Sequence, residues 1–157
     1  MKIINLSKNF FVFIIYFLFF LNNYSYSLTL KKTSVTLDNP WGMSWMDNNN
    51  LLITQKSGEI FNVNTNDYTK IKIDHKIPFI QHGQGGLLDI TSEKNIVWVT
   101  GSIKKKGKYT TAIYRAEFKN DKLINEKLIY EAIPYFDNGK HFGSRIEILD
   151  DYLFISI

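Results

Sequence analysis

The sequence contains no cysteine, which excludes a disulfide framework, a thiol nucleophile and any cysteine-ligated metal. Glycine is scarce, at 9 of 157 residues, and no heptad repeat persists, so collagen-like and coiled-coil proteins are excluded as well. Hydrophobic residues make up 45% of the chain and aromatic residues 15%, which is enough apolar surface to exclude disorder over most of its length. A chain of this size is expected to form one domain.

The N-terminus has the pattern of a targeting segment. Two lysines precede an uninterrupted apolar run at residues 10–21, and small serines follow it. This is the three-part organisation of a secretory signal peptide, and the run is shorter than the roughly 20 residues that a membrane-spanning helix needs. We therefore expect a signal helix and a signal peptide at residues 1–27, a mature domain at 28–157, and a periplasmic or secreted protein. Membrane contact is expected only through the signal segment, and an uncleaved anchor is the alternative.

The charge of the chain gives no case for nucleic-acid binding. The formal net charge is +4, and two of the lysines responsible lie within the predicted signal peptide. A weakly positive mature domain lacks the electrostatic surface that nucleic-acid binding requires. One basic run, at residues 104–108, is interpreted as a solvated hairpin tip.

The rest of the chain has the pattern of an all-β protein. After residue 30, short runs rich in β-branched and aromatic residues alternate with clusters of Asn, Asp and Gly. Such runs bounded by turn-forming residues are typical of antiparallel strands. The five clearest runs are residues 51–54, 60–63, 96–100, 112–118 and 152–157.

A unit of strands recurs along the chain at about the length of a propeller blade. Each unit begins at a glycine and passes through a polar turn to a strand that carries a hydroxyl residue. The three pairs are Gly42 with Thr54, Gly86 with Thr100, and Gly143 with Ser156. This repeat favours a β-propeller over a β-sandwich, which also has short strands. Propellers have about 4–8 blades, and the sequence contains two units and the opening of a third, so we expect an incomplete propeller.

Polar, glycine-rich segments stand at the starts of the second and third units, at residues 81–89 and 139–145. Glycine lets a ligand approach the backbone closely, and histidine can accept a proton near neutral pH. Arginine can bind a carboxylate in bidentate fashion. Taken alone, such residues are more often loop side chains that stabilise turns than catalytic groups.

Four segments together resemble a known family. They are residues 39–43 (NPWGM), 58–60 (GEI), 83–89 (GQGGLLD) and 141–145 (HFGSR). Their order and spacing are similar to those of the soluble PQQ-dependent aldose sugar dehydrogenases, the glucose/sorbosone dehydrogenase family. The resemblance covers about residues 35–157. It implies a six-bladed propeller that is periplasmic or secreted, of which this chain would hold the first two to three blades.

The resemblance also implies an activity, the oxidation of aldose sugars to lactones by hydride transfer to PQQ. His141 matches the catalytic base, and Gln84 matches a glutamine at the cofactor and substrate site. Arg145 matches the last residue of the histidine motif, where it either contacts the cofactor or forms a buried structural ion pair. Asp89 is expected to be structural, either capping a turn or bonding across strands at the channel wall. The electron acceptor is not identified by any residue.

Calcium belongs to the family, but its binding loop has no counterpart in this sequence. A calcium site needs about 6–8 oxygen ligands, and no acidic cluster of that kind is present, so no metal ligand is assigned. Three tryptophans, at positions 41, 45 and 98, are expected to fill the core between blades. His75 and His82 match no catalytic position and are expected to be structural.

Two other functions remain open at this point. Because blades are missing, we expect a truncated N-terminal fragment that is inactive alone, and a non-catalytic periplasmic binding module is the alternative. A metal-dependent propeller hydrolase is the weaker option, because only Asp89 and Glu147 stand where channel carboxylates would be needed.

Overall fold

A computed structural model describes residues 27–157, so the predicted signal helix and all but the last residue of the predicted signal peptide lie outside the described part. The chain divides into two compact units, and the second, Thr33–Ile157, contains every strand of the described residues. Within residues 27–157 there is no helix long and apolar enough to cross a membrane.

Within residues 27–157, ten antiparallel strands form three sheets. The first sheet consists of β1 (Pro40–Trp45), β2 (Asn50–Gln55), β3 (Ile60–Asn64) and β4 (Lys70–Ile73), in that order. The second consists of β5 (Leu87–Glu93), β6 (Ile96–Lys105), β7 (Lys108–Lys119) and β8 (Lys122–Glu131), again in sequence order. The third pairs β9 (Ile146–Leu149) with β10 (Tyr152–Ile155). The all-β prediction is confirmed.

The five predicted strand runs fall on β2, β3, β6, β7 and β10, whereas the outermost strands β4 and β8 were not anticipated. Both outer strands are largely exposed and carry lysines along the sheet edge. Charged residues on an edge strand oppose pairing with other chains, but they also weaken the apolar signal by which a strand is recognised. The basic run at 104–108 forms the exposed tip of the β6–β7 hairpin, as predicted.

The main core lies between the first and second sheets, where apolar side chains from both meet in one cluster. Its fully buried members include Leu52, Ile60 and Ile73 from the first sheet and Ile90, Val97 and Val99 from the second. Burying one such side chain contributes about 1.5–3 kcal/mol. The faces of successive four-stranded sheets are buried against each other, which is the packing that the blade repeat predicted.

The hydroxyl residues of the predicted repeat are structurally equivalent. Each lies on, or directly after, the second strand of its sheet and accepts a hydrogen bond from a backbone N–H on, or directly before, the first strand. The three bonds are Gly42 N to Thr54 Oγ1 at 2.8 Å, Asp89 N to Thr100 Oγ1 at 3.0 Å, and Arg145 N to Ser156 Oγ at 3.0 Å.

The glycines of the repeat are not equivalent, and that part of the prediction is wrong. The bonds above place Gly42 in register with Asp89 and Arg145, not with Gly86 or Gly143. The glycines serve different backbone needs. A Cβ at Gly42 would lie 2.4 Å from Asp89 Oδ1, whereas Gly86 and Gly143 have positive φ angles of 157° and 67°.

The tryptophan prediction is also wrong for two of the three residues. Trp41 is 44% exposed and Trp45 is 58% exposed, while Trp98 is half-buried. Both exposed residues lie on β1, where Gly42 is the one buried position. β1 contacts the second sheet through Gly42 and Ser44, and neither exposed tryptophan belongs to the core cluster between the two sheets.

Candidate active site

The loop that carries Gln84 is a tight turn packed directly against the backbone of a second loop. His82 and Gly85 exchange two backbone hydrogen bonds, and Gly83 between them has a φ of 58°. Gln84 N donates to Gly139 O at 2.7 Å, and a Cβ on Gly83 would lie 2.4 Å from that same oxygen. Glycine is required here because any side chain would separate the two loops.

Gln84 and His141 are in direct contact. The backbone N–H of His141 donates to Gln84 Oε1 at 3.0 Å, although the two residues are 57 positions apart in sequence. Because an N–H must face an acceptor, this bond fixes the orientation of the amide and directs Nε2 away from His141. Both residues are exposed, so the His141 imidazole and the Gln84 amide N–H groups are accessible to a ligand.

The residue after His141 anchors the loop. Phe142 is 5% exposed and packs in a small apolar cluster with Leu88 and Tyr109. His141 has a φ of 62°, a left-handed conformation that is uncommon for a residue with a side chain. The buried phenylalanine therefore holds the backbone in place while His141 remains at the surface.

Arg145 is paired with Asp89 of the second sheet. Arg145 Nη1 donates to Asp89 Oδ1 at 3.2 Å, and the Ile146 backbone N–H donates to Asp89 Oδ2 at 3.0 Å. The side chain of Asp89 is 7% exposed, whereas that of Arg145 is 72% exposed. Asp89 thus bonds across strands, as predicted, and only one partner of the ion pair is buried.

The first strands of the three sheets line a groove of about 880 Å³. Arg145, Met43 and Trp45 are among its lining residues, and Glu147 lies on the same surface. His141 lies instead in a smaller cavity of about 280 Å³, together with Lys140. The structure therefore joins Gln84 to His141 but does not bring Arg145 into the cavity of His141.

Lys56 is a residue of this region that the sequence analysis missed. Its ammonium group donates to Gly83 O at 2.8 Å and lies 5.5 Å from the ring of Trp41. Its carbonyl oxygen accepts a hydrogen bond from Leu87 N at 3.2 Å. Lys56 thus supports the Gln84 loop from the first sheet, and a lysine in the β2–β3 turn gives no sequence signal for that contact.

The remaining histidines are held by structural contacts, as predicted. His82 stacks on Tyr109 with ring centroids 4.0 Å apart. His75 Nε2 lies 2.8 Å from Gly58 O, and since a carbonyl only accepts, this nitrogen carries the proton.

No metal centre emerges among residues 27–157, where no group of three or more His, Asp and Glu side chains is arranged to hold an ion. Both oxygens of Asp89 are engaged by Arg145 and Ile146. A channel metal bound through Asp89 and Glu147 would have to displace these bonds, which disfavours the hydrolase interpretation.

The model of the glucose/sorbosone dehydrogenase family matches residues 37–157, which include both the Gln84 loop and the His141 loop. The chain belongs to the glucose/sorbosone dehydrogenase family. Members of this family are sugar dehydrogenases, and the β-propeller prediction is confirmed: the two four-stranded sheets are blades of the family's propeller, and the two-stranded sheet is part of a third.

Individual proteins similar to this glucose/sorbosone dehydrogenase family member span a wide range of identity. An uncharacterised protein of the cyanobacterium Synechocystis is 32% identical over 135 residues, which are 77% of this chain and 33% of that protein. The apo-form of the soluble aldose sugar dehydrogenase of Escherichia coli is 27% identical with a TM-score of 0.69, over 77% of this chain and 38% of that one. A PQQ-bound aldose sugar dehydrogenase of Streptomyces coelicolor shares the fold, with 19% identity and a TM-score of 0.58 over 67% of this chain and 34% of that one. The chain thus spans about a third of the length of these proteins.

Proposed function

We propose that this chain supplies the catalytic base of a PQQ-dependent aldose dehydrogenase that oxidises sugars to lactones. The observation that carries the proposal is the bond between Gln84 Oε1 and His141 N, because it joins the two family motifs at one accessible point. The PQQ-bound state of the Streptomyces protein supports the choice of cofactor.

His141 is the base in this proposal. Its imidazole is exposed, and its backbone is fixed by Gln84 on one side and by buried Phe142 on the other. A neutral imidazole that accepts the proton of the anomeric hydroxyl makes that sugar carbon a better hydride donor. The reaction would therefore place the sugar hydroxyl within hydrogen-bonding distance of the His141 ring.

Gln84 orients a ligand oxygen. Its Oε1 is occupied by the His141 N–H, and no described residue accepts a hydrogen bond from its Nε2. The two N–H donors on Nε2 are therefore available to a sugar hydroxyl or a quinone oxygen beside the base.

Arg145 is the residue that we assign to the cofactor. Asp89 engages Nη1, and the exposed remainder of the guanidinium offers further donors of the type that a carboxylate of PQQ would accept. Met43 and Trp45 expose 65% and 58% of their surfaces in the same groove and supply an apolar face for a planar ring system. The donor types therefore fit PQQ, which when bound supplies a quinone that accepts hydride. Calcium is assigned no residue.

Two measurements test the proposal. PQQ added to the full chain is expected to quench tryptophan fluorescence saturably, because Trp45 lines the groove, and Arg145→Ala is expected to weaken binding. Aldose-dependent dye reduction with PQQ and calcium, assayed with these residues carried in a complete propeller, is expected to be lost in His141→Ala at unchanged PQQ affinity. Saturable sugar binding that needs no PQQ and is unaffected by His141→Ala would instead support a non-catalytic binding module.

We also propose that the protein is periplasmic or secreted, with residues 1–27 as its signal peptide. The support is the charged and apolar pattern of that segment in the sequence. Cell fractionation followed by N-terminal sequencing of the mature protein tests this, and a cytoplasmic protein with an intact N-terminus would contradict it.

A further inference from the structure

We propose that Thr100 on β6 and Thr111 on β7 are positioning residues. They hold the backbone of the His141 loop where the His141 N–H can bond to Gln84. Both are buried, at 0% and 2% exposure. Both direct their hydroxyl groups out of the second sheet and into the segment that carries the base. Thr111 Oγ1 donates to Phe142 O at 2.5 Å, and Thr100 Oγ1 donates to Ser144 O at 2.8 Å.

The Thr100 bond belongs to a repeated device that connects successive sheets. In the first sheet, Thr54 Oγ1 donates to Leu88 O of the second sheet at 2.7 Å. In the second sheet, Thr100 makes the same connection to the segment leading into the third. Because Leu88 O and the N–H that Thr100 accepts belong to one peptide group, the bonds run as a continuous chain from sheet to sheet. Hydrogen bonds in such chains polarise and strengthen one another.

The Thr111 bond is not part of this series of hydrogen bonds. It is made where the backbone of the His141 loop is most constrained. Phe142 stands between His141 and Gly143, whose φ angles of 62° and 67° are both left-handed. A carbonyl held between two such residues determines the direction in which the backbone leaves His141. Left-handed conformations of residues with side chains persist only where surrounding contacts enforce them. Thr111 and Gln84 supply these contacts from either side.

The importance of this arrangement for catalysis rests on the proposed function, which names His141 as the base. The hydrogen bonds themselves do not depend on the proposed function, so a test of them needs neither PQQ nor sugar. Amide hydrogen exchange measured on the full chain by NMR reports directly on the His141 N–H that Gln84 accepts.

The variants Thr100→Val and Thr111→Val remove the hydroxyl and nearly preserve the side-chain volume. Each is expected to raise the exchange rate of the His141 amide about tenfold, because a buried carbonyl loses its partner and the loop opens locally. Thr100→Ser and Thr111→Ser keep the hydroxyl and are expected to restore the original rate.

Thr110→Val is the matched control. Thr110 is similarly buried, at 3%, but its hydroxyl donates to Ala132 O and not to a carbonyl of the segment that carries His141. It is expected to lower global stability to a similar degree without accelerating His141 exchange. The proposal is overturned if Thr110→Val and Thr111→Val change His141 exchange equally, or if the serine variants fail to restore it. Should Thr100→Val not fold, Thr111→Val decides the matter, since it lies on another strand and binds another carbonyl.

Discussion

The carboxylate of Asp89 holds the third sheet through two different bonds. One oxygen accepts from Arg145 Nη1 at 3.2 Å, and the other accepts from the Ile146 backbone N–H at 3.0 Å. The ion pair reaches an arginine that is 72% exposed, so solvent screens it, whereas the backbone bond is buried. The bond to Ile146 is therefore expected to be the stronger contribution to the free energy of unfolding.

Truncation of the two partners should separate these contributions. Asp89→Ala leaves the buried N–H of Ile146 without an acceptor and is expected to cost about 2–4 kcal/mol in the free energy of unfolding. Arg145→Ala is expected to cost less, about 1 kcal/mol, because solvent already screens an ion pair whose arginine is 72% exposed and because Asp89 keeps its bond to Ile146. Urea denaturation of both variants provides the measurement, and equal losses would contradict the ranking.

Substitution of Gly42, the one buried position of β1, should be damaging even by alanine. A Cβ there would lie 2.4 Å from Asp89 Oδ1 and 2.8 Å from Asp89 Cα, inside van der Waals contact. Gly42→Ala is therefore expected to lower the free energy of unfolding by about 1–3 kcal/mol or more and to disturb the Asp89 bonds.

Gly107→Ala is the control for Gly42→Ala. Gly107 has a φ of 83° but no atom within 4 Å of a built Cβ, so alanine there meets conformational strain alone. Its cost is expected near 1 kcal/mol, measured by the same denaturation experiment. A Gly42→Ala variant as stable as the wild type would refute the close approach of the two sheets.

The hydroxyl of Thr54 is expected to stabilise the contact between the first and second sheets. Thr54 is fully buried, accepts from Gly42 N and donates to Leu88 O. Thr54→Val should cost about 1–3 kcal/mol in the free energy of unfolding, because both groups lose their partner. Thr54→Ser keeps the bonds and should recover most of this loss in thermal or urea unfolding. Equal losses in the two variants would assign the effect to the methyl group instead.

The β1–β2 turn should contribute a pH-dependent part of the stability. Asp47 accepts hydrogen bonds from the Asn50 side chain and from the Asn49 backbone, which lower the pKa of Asp47 below its ordinary value of 3.8. A depressed pKa in the folded state adds stability above the unfolded pKa, and this is lost as pH falls through the folded value.

Asp47→Ala should therefore lower the unfolding temperature at pH 7, and the difference from wild type should shrink as pH falls below about 4. Thermal unfolding followed between pH 7 and about pH 3 measures it. A difference that stays constant over this range would show that the carboxylate charge has no part in the turn.

Gln84→Glu should distinguish the role of the amide oxygen of Gln84 from the role of its amide nitrogen. A carboxylate can still accept the His141 N–H, but it lacks the donors of Nε2. We expect His141 exchange to stay unchanged while sugar or PQQ binding weakens about tenfold or more, whereas Gln84→Ala should impair both. Calorimetric titration alongside amide exchange provides the test, and unchanged ligand binding in Gln84→Glu would remove Gln84 from the ligand site.

The local pattern of the sequence determined the strands β2, β3, β6, β7 and β10. It also determined the blade-length repeat of hydroxyl residues and the family motifs around Gln84 and His141. These are short-range properties, because alternation, turn formers and motif spacing are written in adjacent residues. Only the tertiary structure decided which atoms meet across sheets: Gln84 with His141, Lys56 with Gly83, and Asp89 with Ile146. It also decided that Trp41 and Trp45 are exposed and that Gly42 corresponds to Asp89 and not to Gly86. Such contacts join residues 27 to 57 positions apart, and they depend on sheet register and blade packing, which no local pattern specifies.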